Sequence, residues 1–288
     1  MDNSASHRFG ELIGNFFEHC MKSPVQSLAQ KYNLYFDSVG QRAARKTKTV
    51  TWTDLYGSKH DLDYVIEKDG SDVQVGVPIA FIEVAWRRYT KHSKNKAQEI
   101  TAAVEPIVAK YREVNPFKGA IICGEFTETS IEQLKGRGFA VLYIPYSEMV
   151  QCFKKYGVDL SYDESTEENE FASKIEQFEK ADKLALKNEL LKHNSSVINN
   201  FMITLENVIR RTIKSIYILP LHGKASILNS IESAIGFIDS YKTMPPDATF
   251  QSYVIQIYFN DGSEIKAELK DNDMAKSFLM KMNLLLTS

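Results

Sequence analysis

The stretch Asp61-Leu62-Asp63-Tyr64-Val65-Ile66-Glu67, a polar turn over 68–75, and then Ile79-Ala80-Phe81-Ile82-Glu83-Val84-Ala85-Trp86 decides the fold. The first run alternates, with Leu62, Tyr64 and Ile66 on one side and Asp61, Asp63 and Val65 on the other, as a strand does. The second is almost continuously apolar, the pattern of a central strand covered on both faces. Asp69-Gly70 opens the turn between them, so an antiparallel hairpin is expected. Glu83 stands inside the apolar run. Burying an ionised carboxylate there costs several kcal/mol unless it is paired or holds a cation. The sequence offers a salt bridge to Arg87, Arg88 or a lysine as one answer and a metal ion as the other.

Working outward, residues 49–55 (TVTWTDL) read as a further strand, and 39–48 (VGQRAARKTK) as a basic loop or short exposed helix. Before them, Phe9, Leu12, Ile13, Phe16, Phe17 and Cys20 repeat at helical spacing, with Glu11 and Glu18 on another face. On the other side, a helix is expected over 93–112, a strand over 119–126, a short helix over 129–135, a strand over 139–146 and a helix over 147–155. A strand meander followed by strand–helix–strand implies a mixed sheet flanked by helices.

Composition changes at 159–169 (DLSYDESTEEN), which reads as an acidic linker. Two long helices are expected beyond it, over 170–191 and 196–216, and a third over 226–240. Met244-Pro245-Pro246-Asp247 breaks the chain, and Asn260-Asp261-Gly262 joins two strands in a hairpin. A last helix is expected over 274–286. The reading divides the chain into domains at 1–158 and 170–288, the second mainly helical with a β-hairpin.

The bulk numbers narrow the function. Lys and Arg total 35 and Asp and Glu 37, a net charge of −2, so any nucleic-acid contact must come from a local basic cluster. The three cysteines, Cys20, Cys123 and Cys152, are far apart in sequence, which argues against a disulfide framework and a zinc site. No apolar run is long enough to span a membrane, and the first residues lack a leader pattern, so a cytoplasmic setting is expected. No Gly-rich phosphate loop or Ser/His/Asp order is present.

The order of these features resembles the αβββαβ core of the PD-(D/E)XK, restriction-endonuclease-like nucleases. His60-Asp61-Leu62-Asp63-Tyr64-Val65 looks like the family's Asp strand, Ile82-Glu83-Val84-Ala85 like its (D/E)XK strand, and Gly14-Asn15-Phe16-Phe17-Glu18 like the GxxxE helix of some members. The resemblance covers roughly residues 8–155. It implies Mg²⁺-dependent cleavage of double-stranded DNA (Mn²⁺ substituting), of restriction or anti-phage type, by a homodimer. It also implies Asp63, Glu83 and Glu18 as metal ligands. The family's lysine position falls on Ala85. Lys96, on the sheet-facing side of the following helix, is the expected substitute, with Lys94 and Lys91 as neighbours. Gln98 matches only part of a QxxxY motif, with Ala102 at the Tyr position. Arg42, Arg45, Arg87, Arg88, Lys91 and Lys94 are the expected DNA-binding rim. Asp61, Glu11, His60 and His92 are lesser candidates, and Trp52, Trp86 and Tyr89 are expected in the core. The missing lysine motivates an alternative, a catalytically decayed nuclease-fold module that binds DNA or a partner.

Overall fold

A computed structural model describes residues 4–221, 223–241 and 252–286, with side chains to 283. The expected break at Met244–Asp247 lies outside the described residues. Two compact units emerge: residues 1–110 with 116–206, and residues 111–115 with 207–288.

In the first unit, α1 (Ala5–Lys31) begins at Ser4, whose hydroxyl accepts from the His7 N–H. It runs well beyond the expected turns, with Phe9, Ile13, Phe16, Phe17 and Cys20 buried and Pro24 inside it. The strands β1 (Tyr35–Ser38), β2 (Val50–Thr53), β3 (Lys59–Leu62), β4 (Tyr64–Lys68) and β5 (Val77–Arg87) follow. Then come α2 (Ser93–Lys110), β6 (Phe117–Gly124), α3 (Glu128–Gly136), β7 (Ala140–Pro145) and α4 (Tyr146–Lys154). The main sheet is five-stranded in the order β1-β4-β5-β6-β7. β4 runs antiparallel to both β1 and β5, and β5, β6 and β7 are parallel, joined by helical crossovers. It is a mixed sheet flanked by helices.

The alternating run around Asp63 is two strands. β3 pairs with β2 in a separate two-stranded sheet, and β4 enters the main sheet between β1 and β5. Asp63 is the residue between them. The turn after β4 is braced by Glu67, which accepts from the Gly76 N–H at 2.6 Å. A Cβ on Gly76 would lie 2.2 Å from the Lys68 carbonyl oxygen, so only glycine fits.

The linker expectation is corrected. Residues 159–169 do not separate domains. Tyr146 donates to the Leu160 carbonyl at 2.8 Å, Lys174 pairs with Asp159, and Tyr162 packs edge-on against Phe9 and Phe171. The expected helix 170–191 is two, α5 (Glu168–Lys180) and α6 (Lys183–His193), parted by Asp182, which caps α6. These and α7 (Ser195–Ile209) as far as Glu206 belong to the first unit. Phe16, Phe153 and Phe178 join α1, α4 and α5.

The helix expected to reach residue 216 ends at 209, and 213–220 form a strand of the second unit. The unit contains β8 (Ile213–Pro220), β9 (Ser226–Leu228), α8 (Ile231–Tyr241), β10 (Tyr253–Phe259), β11 (Glu264–Leu269) and α9 (Asn272–Leu286). The antiparallel order is β11-β10-β8-β9, and Ile216, Ile218, Ile255 and Ile257 pack with Ala234, Ile238 and Leu279.

Candidate functional site

β4 and β5 pair Tyr64 with Ile82, so one step further brings Asp63 opposite Glu83. Directly opposed residues of an antiparallel pair share a face. Asp63 is half-buried and accepts from the Val84 N–H at 2.6 Å, which fixes its carboxylate against β5. Glu83 is 7% exposed, and its Oε1 is buried with no hydrogen-bond partner. The salt bridge considered for it is not formed: Arg87 lies 3.7 Å from Glu99, and Arg88 donates to the Tyr162 carbonyl.

Two helices complete the group. Tyr64 donates its hydroxyl to the Glu18 carbonyl, locking α1 to β4 beside Asp63. From α2, Lys96 brings an ammonium that is close enough to act on both Asp63 and Glu83. The electrostatics follow from crowding. Burial, then the Asp63 charge, pushes the Glu83 carboxyl up to about 8, against the pull of Lys96. Burial raises Asp63 too, opposed by the Val84 hydrogen bond and by Lys96. Glu18 is raised by burial and then by Asp63. Asp63 lifts both Glu83 and Glu18, and Glu18 lifts Glu83, so three acidic groups crowd one site that keeps one unsatisfied oxygen.

A cleft of about 410 Å³ opens beside this group. Glu18, Val84, Ala85 and Lys96 line it together with Arg87 and Tyr89. Asp63 and Glu83 adjoin it through Val84. β5 carries no lysine, and position 85 is a buried alanine, so no amine comes from that strand.

The basic rim is corrected in part. Arg42 is buried, with a two-pronged contact to Glu67 at 2.6 and 2.9 Å, Asp37 at 2.6 Å, and the Ser71 and Gln74 carbonyls. Arg45 is half-buried with its side chain covered, paired with Asp37 at 2.8 Å and donating to the Thr47 and Ser38 carbonyls. Arg42 ties the 39–48 loop to β1 and β4, and Arg45 ties it to β1. Arg87 and Arg88 are half-buried by the cleft, with Arg88 4.0 Å from the Tyr146 ring centre. Lys91 and Lys94 are exposed, Lys91 pairing with Glu164 at 2.6 Å.

Of the remaining candidates, Glu11, Trp86 and Tyr89 line the cleft, and the others are held elsewhere or exposed. Asp61 accepts from the Thr51 hydroxyl at 2.5 Å, and His60 pairs with Asp54 at 2.9 Å. Glu11 pairs with His7 at 3.1 Å, and His92 and Gln98 are exposed. Trp52 and Trp86 are buried, but Tyr89 is half-buried on the cleft. Sequence reasoning missed the role of Val84 as the donor that holds Asp63, which its neighbouring place to Glu83 does not reveal.

Comparison with protein-family models, with curated proteins and with solved structures finds no match for this chain.

Proposed function

We propose that this chain is a Mg²⁺-dependent endodeoxyribonuclease built on a restriction-endonuclease-like PD-(D/E)XK core, of restriction or anti-phage type, acting on double-stranded DNA as a homodimer. The observation that carries the reading is the opposition of Asp63 and Glu83 across β4 and β5, with Glu83 Oε1 buried and unpartnered beside the Lys96 ammonium. An orphaned carboxylate oxygen among three carboxylates fits a hard divalent cation, which takes oxygen ligands. Asp63, Glu83 and Glu18 would hold it. The ion supplies Lewis-acid polarisation of the scissile phosphate and a more acidic water.

The chain's own groups do the rest. The Val84 N–H keeps Asp63 from rotating away from β5. Lys96 takes the part of the lysine absent at Ala85: it orients the attacking water and offsets charge gathering on the phosphate. Arg87 lines the cleft, and the exposed Lys91 and Lys94 lie just before and at the start of α2; these three take the DNA backbone.

Supercoiled plasmid with Mg²⁺ is the test. The expected result is nicking or linearisation that EDTA stops and that falls at least about a thousandfold in Asp63→Asn and Glu83→Gln. Cleavage surviving both substitutions overturns the assignment. Ala85 itself favours a second reading, a decayed module that binds DNA without cutting it. Calorimetry separates the two, because a module of that kind shows no Mg²⁺ or Mn²⁺ binding.

A further inference from the structure

Away from the carboxylate group, α4 and α6 lie against each other and present a second set of donors. Each helix contributes residues at i and i+4, which share a helix face: Glu148 and Cys152 on α4, Glu189 and His193 on α6. The ligand atoms of Cys152, Glu189 and His193 all fall within 4.8 Å of one another. Glu148 Oε2 lies 2.6 Å from His193 Nε2. Lys155 holds Glu189 from the other side, and its side chain is 54% exposed, free to swing into solvent.

We propose that Glu148, Cys152, Glu189 and His193 form a zinc site that clasps α4 to α6. A thiolate, an imidazole and two carboxylates make a mixed S, N and O set of the number a tetrahedral zinc ion takes. Mg²⁺ and Ca²⁺, which require oxygen donors, are disfavoured there. Cys152 is fully buried while Glu189 and His193 reach the surface, so a cation enters from the solvent side and finds the sulfur at the floor. The ion takes the place of two interactions these groups already make, the Lys155 ammonium on Glu189 and the hydrogen bond between Glu148 and His193. The spacing of the cysteines in sequence hides this site, because its ligands come from helices far apart in the chain and only one of them is a cysteine. The site does not depend on the nuclease reading.

Titration of the metal-free protein with Co²⁺ is the test. The expected result is a cobalt–thiolate charge-transfer band that saturates at a single equivalent and is displaced by Zn²⁺. Glu189→Gln and His193→Ala should each weaken binding by at least about tenfold, and Glu148→Gln by about tenfold. Cys152→Ser should abolish the band. Because that buried position is also part of the core, the partly exposed Glu189 and His193 variants, checked by circular dichroism, stand independently of it. Asp63→Asn should leave the titration unchanged. The proposal is overturned by a wild-type protein with no band, by a band indifferent to both Glu189→Gln and His193→Ala, or by a band that disappears in Asp63→Asn.

Discussion

At Glu83, burial and the nearby Asp63 charge keep the proton on well into the neutral range. The folded chain therefore binds more protons than the unfolded one between about 4.5 and about 8. The stabilisation from neutral Glu83 is complete below that window and is lost as pH rises through it. In EDTA, stability measured by urea unfolding should fall by on the order of 3–5 kcal/mol across the window, and Glu83→Gln should flatten most of that slope. Equal slopes in the two proteins would mean that the carboxyl is solvated. A different experiment belongs to Arg42. Its guanidinium is enclosed by Asp37 and Glu67, so Arg42→Ala leaves the buried Glu67 without a cation, with Asp37 held by Arg45 alone, and should destabilise by about 3–5 kcal/mol. The salt dependence of DNA binding should not change, because this arginine faces no phosphate. A shallower salt slope in a folded Arg42 variant would contradict that placement.

The helix α2 presents two lysines with different surroundings, and the element sorts them. Lys96 turns inward to Asp63 and Glu83, while Lys94 is exposed. Lys96→Ala should lower single-turnover cleavage by about 10²–10⁴-fold with little change in DNA affinity. Lys94→Ala should do the reverse, weakening affinity and reducing the salt slope by about one. Gel-shift and cleavage assays on both variants check this, and identical behaviour would remove the distinction. The end of β6 is a third case. Gly124 has φ +105, and a Cβ there would sit 2.0 Å from the Arg87 carbonyl oxygen. Gly124→Ala should push the end of β5 away from β6 and lower the Tm by several degrees.

Elements with strong local signals were legible in the sequence. The β10–β11 hairpin follows its Asn260-Asp261-Gly262 turn, and the apolar run around Glu83 is the central strand it promised. β8 was hidden because IKSIYILP extends an apolar pattern already read as helix. β1 is four residues long, too short for a periodic signal. The pairing of Asp63 with Glu83 could be anticipated from strand order, but the fate of Arg42 could not. A basic tract looks alike in sequence whether its charges meet solvent or buried acids.

On the scale of the whole chain, the division at 206 rather than at the acidic linker has a physical origin. Polar composition suggested an exposed connector, yet Lys174, Tyr146 and Phe171 tie that segment down. The five residues 111–115 join the second unit although they lie between α2 and β6. Arg211 explains it: buried beside Asp261 at 3.0 Å, it donates to the Val114 and Asn115 carbonyls at 3.2 and 3.3 Å. Arg211→Met should speed amide exchange over 111–115 and β8 and leave the amides of β4 and β5 protected. Uniform acceleration in both units would show that they unfold as one.

The break at Asp63 also sets how this chain tolerates change in length. Residues 59–62 keep the side-chain alternation of the small sheet, and residues 64–68 begin that of the large one. A residue inserted in the turn after β2 would shift the phase of β3 alone. The large sheet takes its frame from the Tyr64–Ile82 pairing, and Asp63 takes its position from the Val84 amide. The acidic pair is thus insulated from insertions and deletions upstream, and drift in the loops before it can proceed without turning Asp63 away from Glu83.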